Sequence, residues 1–161
     1  MRETRFPNRD GIRNREPADY LESQLMAETA TAPIGAEGRY WEALREGHLE
    51  LPQCAGCGRW HWPAVFRCGE CGSWQHDWKK QSLLGTVFSW NRTHHPFGGT
   101  ESIEKPFTSV LVTLDAVPVR LIGILRPTGG NVAIGDHLEG QVATMKFRGR
   151  DLSAIRWSKS L

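Results

Sequence analysis

The chain has 161 residues and a formal charge of +2, with 39% hydrophobic and 24% charged residues. That balance excludes bulk disorder and gives no general electrostatic pull on nucleic acid or anionic membranes. The length suits one compact domain with a small appendage. No apolar run reaches the roughly 18 residues that span a bilayer, and MRETRFPNRDGIRNREP at the start lacks the apolar centre of a secretory signal, so a cytoplasmic protein is expected.

Residues 1–36 read as a polar N-terminal extension, with five Arg in the first fifteen positions and the small-residue stretch TATAPIGAEG near its end. The composition predicts a partly disordered or partner-binding arm. Within it DYLESQLMAET can form a short helix with Tyr20, Leu21, Leu25 and Met26 on one side. Residues 37–50 come next as an amphipathic helical segment, with Tyr40, Trp41 and Leu44 at helical spacing. Gly47 stands where a left-handed residue would stop the helix.

Residues 51–80 hold all four cysteines, in the run CAGCGRWHWPAVFRCGEC. A reducing compartment disfavours structural disulfides, which leaves metal binding or redox chemistry. Two matched Cys-x-x-Cys pairs, each followed by Gly, fit a pair of metal knuckles: the two-residue gap turns both sulfurs toward one ion, and Gly tolerates the tight backbone. Cys54, Cys57, Cys68 and Cys71 therefore read as an S₄ set for structural zinc, with iron as the minor alternative. Within the ten-residue gap, RWHWPAVFR is expected to form the hairpin that joins the knuckles. A thioredoxin-like couple would need one reactive pair beside a βαβ unit, which is missing here. A closed four-coordinate site has no open position for water or substrate, so the metal is expected to support the fold. His61 and His76 are spare ligand types that four well-spaced cysteines make unnecessary.

The aromatics Trp60, His61, Trp62, Phe66, Trp74, His76 and Trp78 crowd this short segment. A zinc hairpin has little core of its own, so most should pack on ribbon, helix and barrel, and any exposed remainder can stack on a ligand or partner.

Residues 81–161 contain five β-like runs: LLGTVFSWNRTHH, PFTSVLVTLD, VPVRLIGILRP, HLEGQVATMKFR and LSAIRWS. Val110, Val112 and Leu114 alternate with residues of mixed polarity, as do Val119, Leu121, Gly123 and Leu125, which predicts half-buried strands. A hairpin through Asp115-Ala116-Val117-Pro118 joins the second and third runs, and PTGGNVAIGD is a longer connection. The economical fold is mainly β: a five-stranded, partly open barrel of the oligonucleotide/oligosaccharide-binding (OB) type, after the helical segment and the ribbon.

No catalytic constellation stands out. His94 and His95 in THHPFGG point to opposite faces if extended, and the segment reads as a loop available for contact, with Phe97 beside it. Gly129-Gly130 lacks the strand-to-helix setting of a dinucleotide site, and Ser102, Ser109 and Ser153 have no activating neighbours in sequence.

The order of parts resembles the acyl-CoA-associated family that combines a rubredoxin-like zinc ribbon with an OB-fold (domain of unknown function 35). The features that carry the resemblance are YWEALREG, the two Cys-x-x-Cys-Gly knuckles, Gly85, Val87, Ser89 and Trp90 of a "GxVxSW" element, and IGDHLEGQV. The match covers residues 37 to about 157. It implies zinc on Cys54, Cys57, Cys68 and Cys71, no catalytic residue, and a non-catalytic subunit that binds and stabilises a thiolase-fold enzyme acting on acyl-CoA or acyl substrates, such as a thiolase, side-chain aldolase or acyltransferase. The barrel would then stabilise that complex or line its acyl-CoA channel. Trp41, Trp60, Trp62, Trp74, His94, His95 and Phe97 are the expected partner or ligand contacts. The N-terminal extension and the THHPFGG loop depart from the family pattern. The rival from another class is a single-stranded nucleic-acid binder, since both modules serve that purpose and aromatics beside Arg or Lys stack on bases. Nine Lys and Arg against six Asp and Glu over residues 83–161, without a sustained basic run, argue against it. A stand-alone enzyme acting on CoA esters is the third reading.

Overall fold

In the computed structural model, residues 35–98, 100–101, 103–127, 131–147 and 150–159 are described. The short helix expected in DYLESQLMAET lies outside them, as do Ser102 and Gly129-Gly130. Helix α1 spans Gly38–Arg45, shorter than the expected 37–50, and buries Tyr40 and Leu44 of the expected stripe together with Ala43, while Trp41 is only partly buried. Gly47 adopts φ +84°, and the His48 N–H donates back to the Ala43 carbonyl at 3.0 Å, which closes the helix as expected.

The chain then turns directly into strand β1, Leu49–Cys54, which pairs antiparallel with β2, His76–Gln81. These two strands frame the cysteine segment. The hairpin expected in RWHWPAVFR is not formed: beyond an isolated bridge from Gln53 to Trp60 the segment is irregular, with a cis Trp62–Pro63 bond. Proline lacks the N–H a ladder needs, and the continuous ladder runs instead between β1, which ends at Cys54, and β2.

Five further strands follow: β3 Leu84–Thr93, β4 Phe107–Leu114, β5 Arg120–Leu125, β6 His137–Phe147 and β7 Arg150–Lys159. Their order β3-β4-β5-β7-β6, with β6 returning to β3, makes a closed barrel. The expected gap is sealed by a short parallel pairing of β5 with β7, Ile124 beside Arg156 and Leu125 beside Trp157. Closure removes the exposed edges an open sheet would present. Val110, Val112 and Leu114 face inward with Leu121 and Leu125, as alternation predicts.

Tyr40, Leu44, Leu49 and Leu51 join Val87, Val110, Leu138 and Trp157 in one apolar cluster, so helix, ribbon strand and barrel share a core. Across the top of that core, Glu50 is 8% exposed and accepts hydrogen bonds from Arg39 at 2.7 Å and from His48 at 3.3 Å. The Arg39 guanidinium holds the Glu50 carboxyl below the usual range against the opposing effect of burial.

Gly85 shows why the first barrel strand opens on glycine. A Cβ there would collide with the Thr113 carbonyl oxygen and lie 2.7 Å from Val112 Cγ1. Gly85→Ala is expected to destabilise the barrel by about 1–3 kcal/mol through overpacking against a backbone that cannot yield. Urea denaturation of the two chains measures this, and an unchanged midpoint would contradict the close approach.

Candidate functional site

Each knuckle repeats the same backbone pattern. The Cys54 N–H donates to the Arg59 carbonyl and the Gly58 N–H to the Cys54 carbonyl, both at 2.8 Å. In the second knuckle the Cys68 N–H reaches the Ser73 carbonyl at 2.8 Å and the Gly72 N–H the Cys68 carbonyl at 2.9 Å. Gly58 and Gly72 have φ +74° and +76°, so each tight turn rests on the glycine that follows the second cysteine. β1 delivers the first knuckle, and β2 picks up the chain after the second.

The four sulfurs lie within 4.8 Å of one another. Cys54 Sγ is 3.5 Å from Cys71 Sγ, and Cys57 Sγ is 3.7 Å from Cys68 Sγ. Metal–sulfur bonds of about 2.3 Å in a tetrahedron separate sulfurs by about 3.8 Å, so this set has the shape of an S₄ cage. All four sulfurs approach one another, across the knuckles and within them, and all four cysteines are free. A redox couple needs only the two sulfurs of one Cys-x-x-Cys, whereas here two pairs converge on one point.

The charge state fits the same reading. Hydrogen bonding by the Cys57 backbone N–H, opposed by burial and aided by the Gly56 N–H, lowers the Cys54 thiol to about 6. Cys68 is lowered likewise, first by the Cys71 backbone N–H. At Cys57 the Arg59 N–H favours the thiolate, but the surrounding thiols and burial together push it up to about 12, and Cys71 is also raised. Backbone N–H groups aimed at Cys54 and Cys68 thus favour the thiolate form that metal ligation requires.

His61 and His76 stand beside the cage with ring centroids 5.4 Å apart, and their Nε2 atoms are buried without a hydrogen-bond partner. Neither belongs to the sulfur set.

The seven expected contact residues divide into two groups. Trp41, Trp60 and Trp62 are partly buried and pack against the shared core, with Trp62 stacked 4.0 Å from the Tyr40 ring. Burial raises the Tyr40 hydroxyl to about 12. Trp74, His94, His95 and Phe97 are exposed. Trp74 is 70% exposed with the Arg67 guanidinium 5.6 Å from its ring centroid, and Phe66, on the same knuckle segment, is 66% exposed. Phe66 belongs to the exposed remainder of the aromatic group; its neighbours Val65 and Arg67 are exposed too, which a segment without periodicity cannot signal. Ser109 and Ser153 lie on β4 and β7.

Residues 41–77 match the ChsH2 rubredoxin-like zinc ribbon domain. A solved structure described as an Ltp2-ChsH2(DUF35) aldolase superposes with a TM-score of 0.66 at 22% identity, covering 81% of this chain and 98% of that one. A DUF35-family protein of unknown function from Sulfolobus solfataricus gives 0.51 at 15% identity, over 89% of this chain and 98% of that one. Among curated proteins, a probable enoyl-CoA hydratase alpha subunit from Thermomonospora curvata is 30% identical over 82 residues, which is 50% of this chain. The chain spans about a quarter of that relative, 25% of its length. These findings bear out the ribbon resemblance and the fold: a short helix, a four-cysteine rubredoxin-like ribbon and a five-stranded barrel. Among the described residues no helix is long and apolar enough to cross a membrane.

Proposed function

From a ChsH2-type ribbon carried on a closed barrel, we propose that this chain is a non-catalytic subunit that docks on, and stabilises, a thiolase-fold enzyme acting on acyl-CoA or acyl substrates. Its cysteines hold one structural zinc, and bond-making chemistry belongs to the partner. One observation carries the reading: the metal cage is closed by four sulfurs, while large aromatics stand exposed on the knuckle segment beside it. Exposed aromatics flanked by Arg are the usual anchors of protein interfaces. The fold shared with an Ltp2-ChsH2(DUF35) aldolase and the local likeness to an enoyl-CoA hydratase subunit support the partner class. The expected division into extension, helix, ribbon and barrel fits this role, with the cytoplasm as its place.

Co-expression with a thiolase-fold enzyme tests it. The pair should co-purify, with activity or stability greater than that of the enzyme alone. The double variant Phe66→Ala, Trp74→Ala should weaken the pair at least tenfold, about 1.4 kcal/mol or more, while keeping its metal and melting temperature. Full activity and stability of the enzyme without this chain would sink the reading. So would salt-dependent, low-micromolar binding of single-stranded oligonucleotides.

A further inference from the structure

At the barrel end where β3 and β5 finish and β4 begins, a cavity of about 700 Å³ opens to solvent. Its volume falls within the range of about 300–1,000 Å³ typical of small-molecule sites. Four cations line it: Arg92 from β3, Lys105 before β4, Arg126 after β5 and Arg156 from β7. Glu104 supplies the only carboxylate among the lining residues. Among the described residues, Lys105 and Arg126 are held by neutral acceptors. Lys105 Nζ donates to the carbonyls of Thr100 at 2.6 Å and Ile103 at 2.8 Å, and Arg126 Nη2 donates to Gln141 Oε1 at 2.8 Å. These neutral acceptors fix the groups in place and leave their charge intact.

Arg126 and Arg156 are brought together by the closing seam of the barrel. Arg156 lies beside Ile124 on β5 and opposite Gln141 on β6, and the Arg126 N–H donates to the Trp157 carbonyl at 2.8 Å. The Gln141 side chain that holds Arg126 therefore sits across the ladder from Arg156. Burial, then the charge of Arg126, lower the Arg156 pKa from its ordinary value, a sign that positive charge is crowded here. Apart from Glu104 and Thr108 the remaining wall is apolar, with Ile103, Phe107 and Leu125.

We infer that this pocket binds a small organic phosphate, its anionic group between Arg126 and Arg156 and its apolar body against Ile103 and Phe107. Planar guanidinium groups match phosphate oxygens in two-point hydrogen bonds, and an anion offsets the repulsion between Arg126 and Arg156. The pocket is built from this chain's own residues, so a failure to bind phosphate would leave the partner reading untouched, whereas tight oligonucleotide binding would count against both.

The test is calorimetric titration of the full chain with 1-naphthyl phosphate, using 1-naphthol as the uncharged control. Expected are saturable binding of the phosphate, little binding of naphthol, and at least tenfold weakening in Arg126→Gln and in Arg156→Gln, with Arg45→Gln on α1 unchanged. Melting curves check that the variants fold, and Arg92→Gln provides a third variant should Arg156→Gln fail. Absence of phosphate binding at millimolar concentration, or equal affinity in folded Arg→Gln variants, would overturn the inference. Displacement of naphthyl phosphate by a short oligothymidylate that binds more tightly would also overturn it, by assigning the cations to a nucleic-acid backbone.

Discussion

Cys54→Ser is expected to lower bound zinc from one ion per chain to near none after dialysis, and to unfold the ribbon. Cys54 and Cys68 are each 1% exposed, at the base of the cage, and no other ligand set lies within reach among the described residues. Structural zinc sites of this kind supply about 10–16 kcal/mol of apparent binding free energy, most of which is folding free energy for a module with little core. Because Leu49 and Leu51 belong to the core shared with the barrel, losing the ribbon also strips cover from Val87 and Leu138. The melting temperature should therefore fall for the whole chain. Metal analysis and near-ultraviolet circular dichroism read the two effects separately. Retention of one zinc and an unchanged spectrum would refute the four-sulfur assignment.

Trp157→Ala is expected to cost about 3–5 kcal/mol, the range for emptying a large aromatic from a core. Trp157 is fully buried, pairs with Leu125 where β5 meets β7, and lies opposite Gly140 on β6. Against a total stability of about 5–15 kcal/mol for an ordinary domain, that loss brings the barrel close to unfolding. Trp157→Phe supplies the contrast. The indole Nε1 is buried without a hydrogen-bond partner, so Phe removes an unsatisfied donor while keeping much of the ring volume, and should cost well under the Ala value. Urea denaturation resolves the pair. Equal losses would show that cavity volume is not what the site measures.

The cage was legible because its determinants are local: two-residue gaps and a glycine after each pair fix the sulfurs within a few bonds of backbone. The barrel strands were legible because Val110, Val112 and Leu114 keep one face apolar. β1 was not. Leu49, Glu50, Leu51 and Pro52 are all buried, since helix, partner strand and barrel enclose the strand on several sides, and a run buried throughout has no alternation to betray it. β2 reads HDWKKQ and is mostly polar; its place is set by the ladder to β1 and not by its own hydrophobicity. The aromatic residues were legible as a group, but their division was not. Trp62 stacks on Tyr40 from a helix more than a dozen residues away, while Trp74 points out to solvent. The cationic pocket was not legible because Arg92, Lys105, Arg126 and Arg156 are scattered along the chain and meet only when β5 and β7 close the barrel.

The cage is also asymmetric in access. In each knuckle the first cysteine is buried and the second exposed, so Cys57 and Cys71 form the outer half of the sulfur set. An ion held equally by four bonds is thus approached through two of them. Chelators, competing metals and oxidants meet the outer pair first, which makes the rate of metal exchange a property of one face, whereas affinity belongs to all four. A protein seated over that face would slow exchange without changing a single metal–sulfur bond.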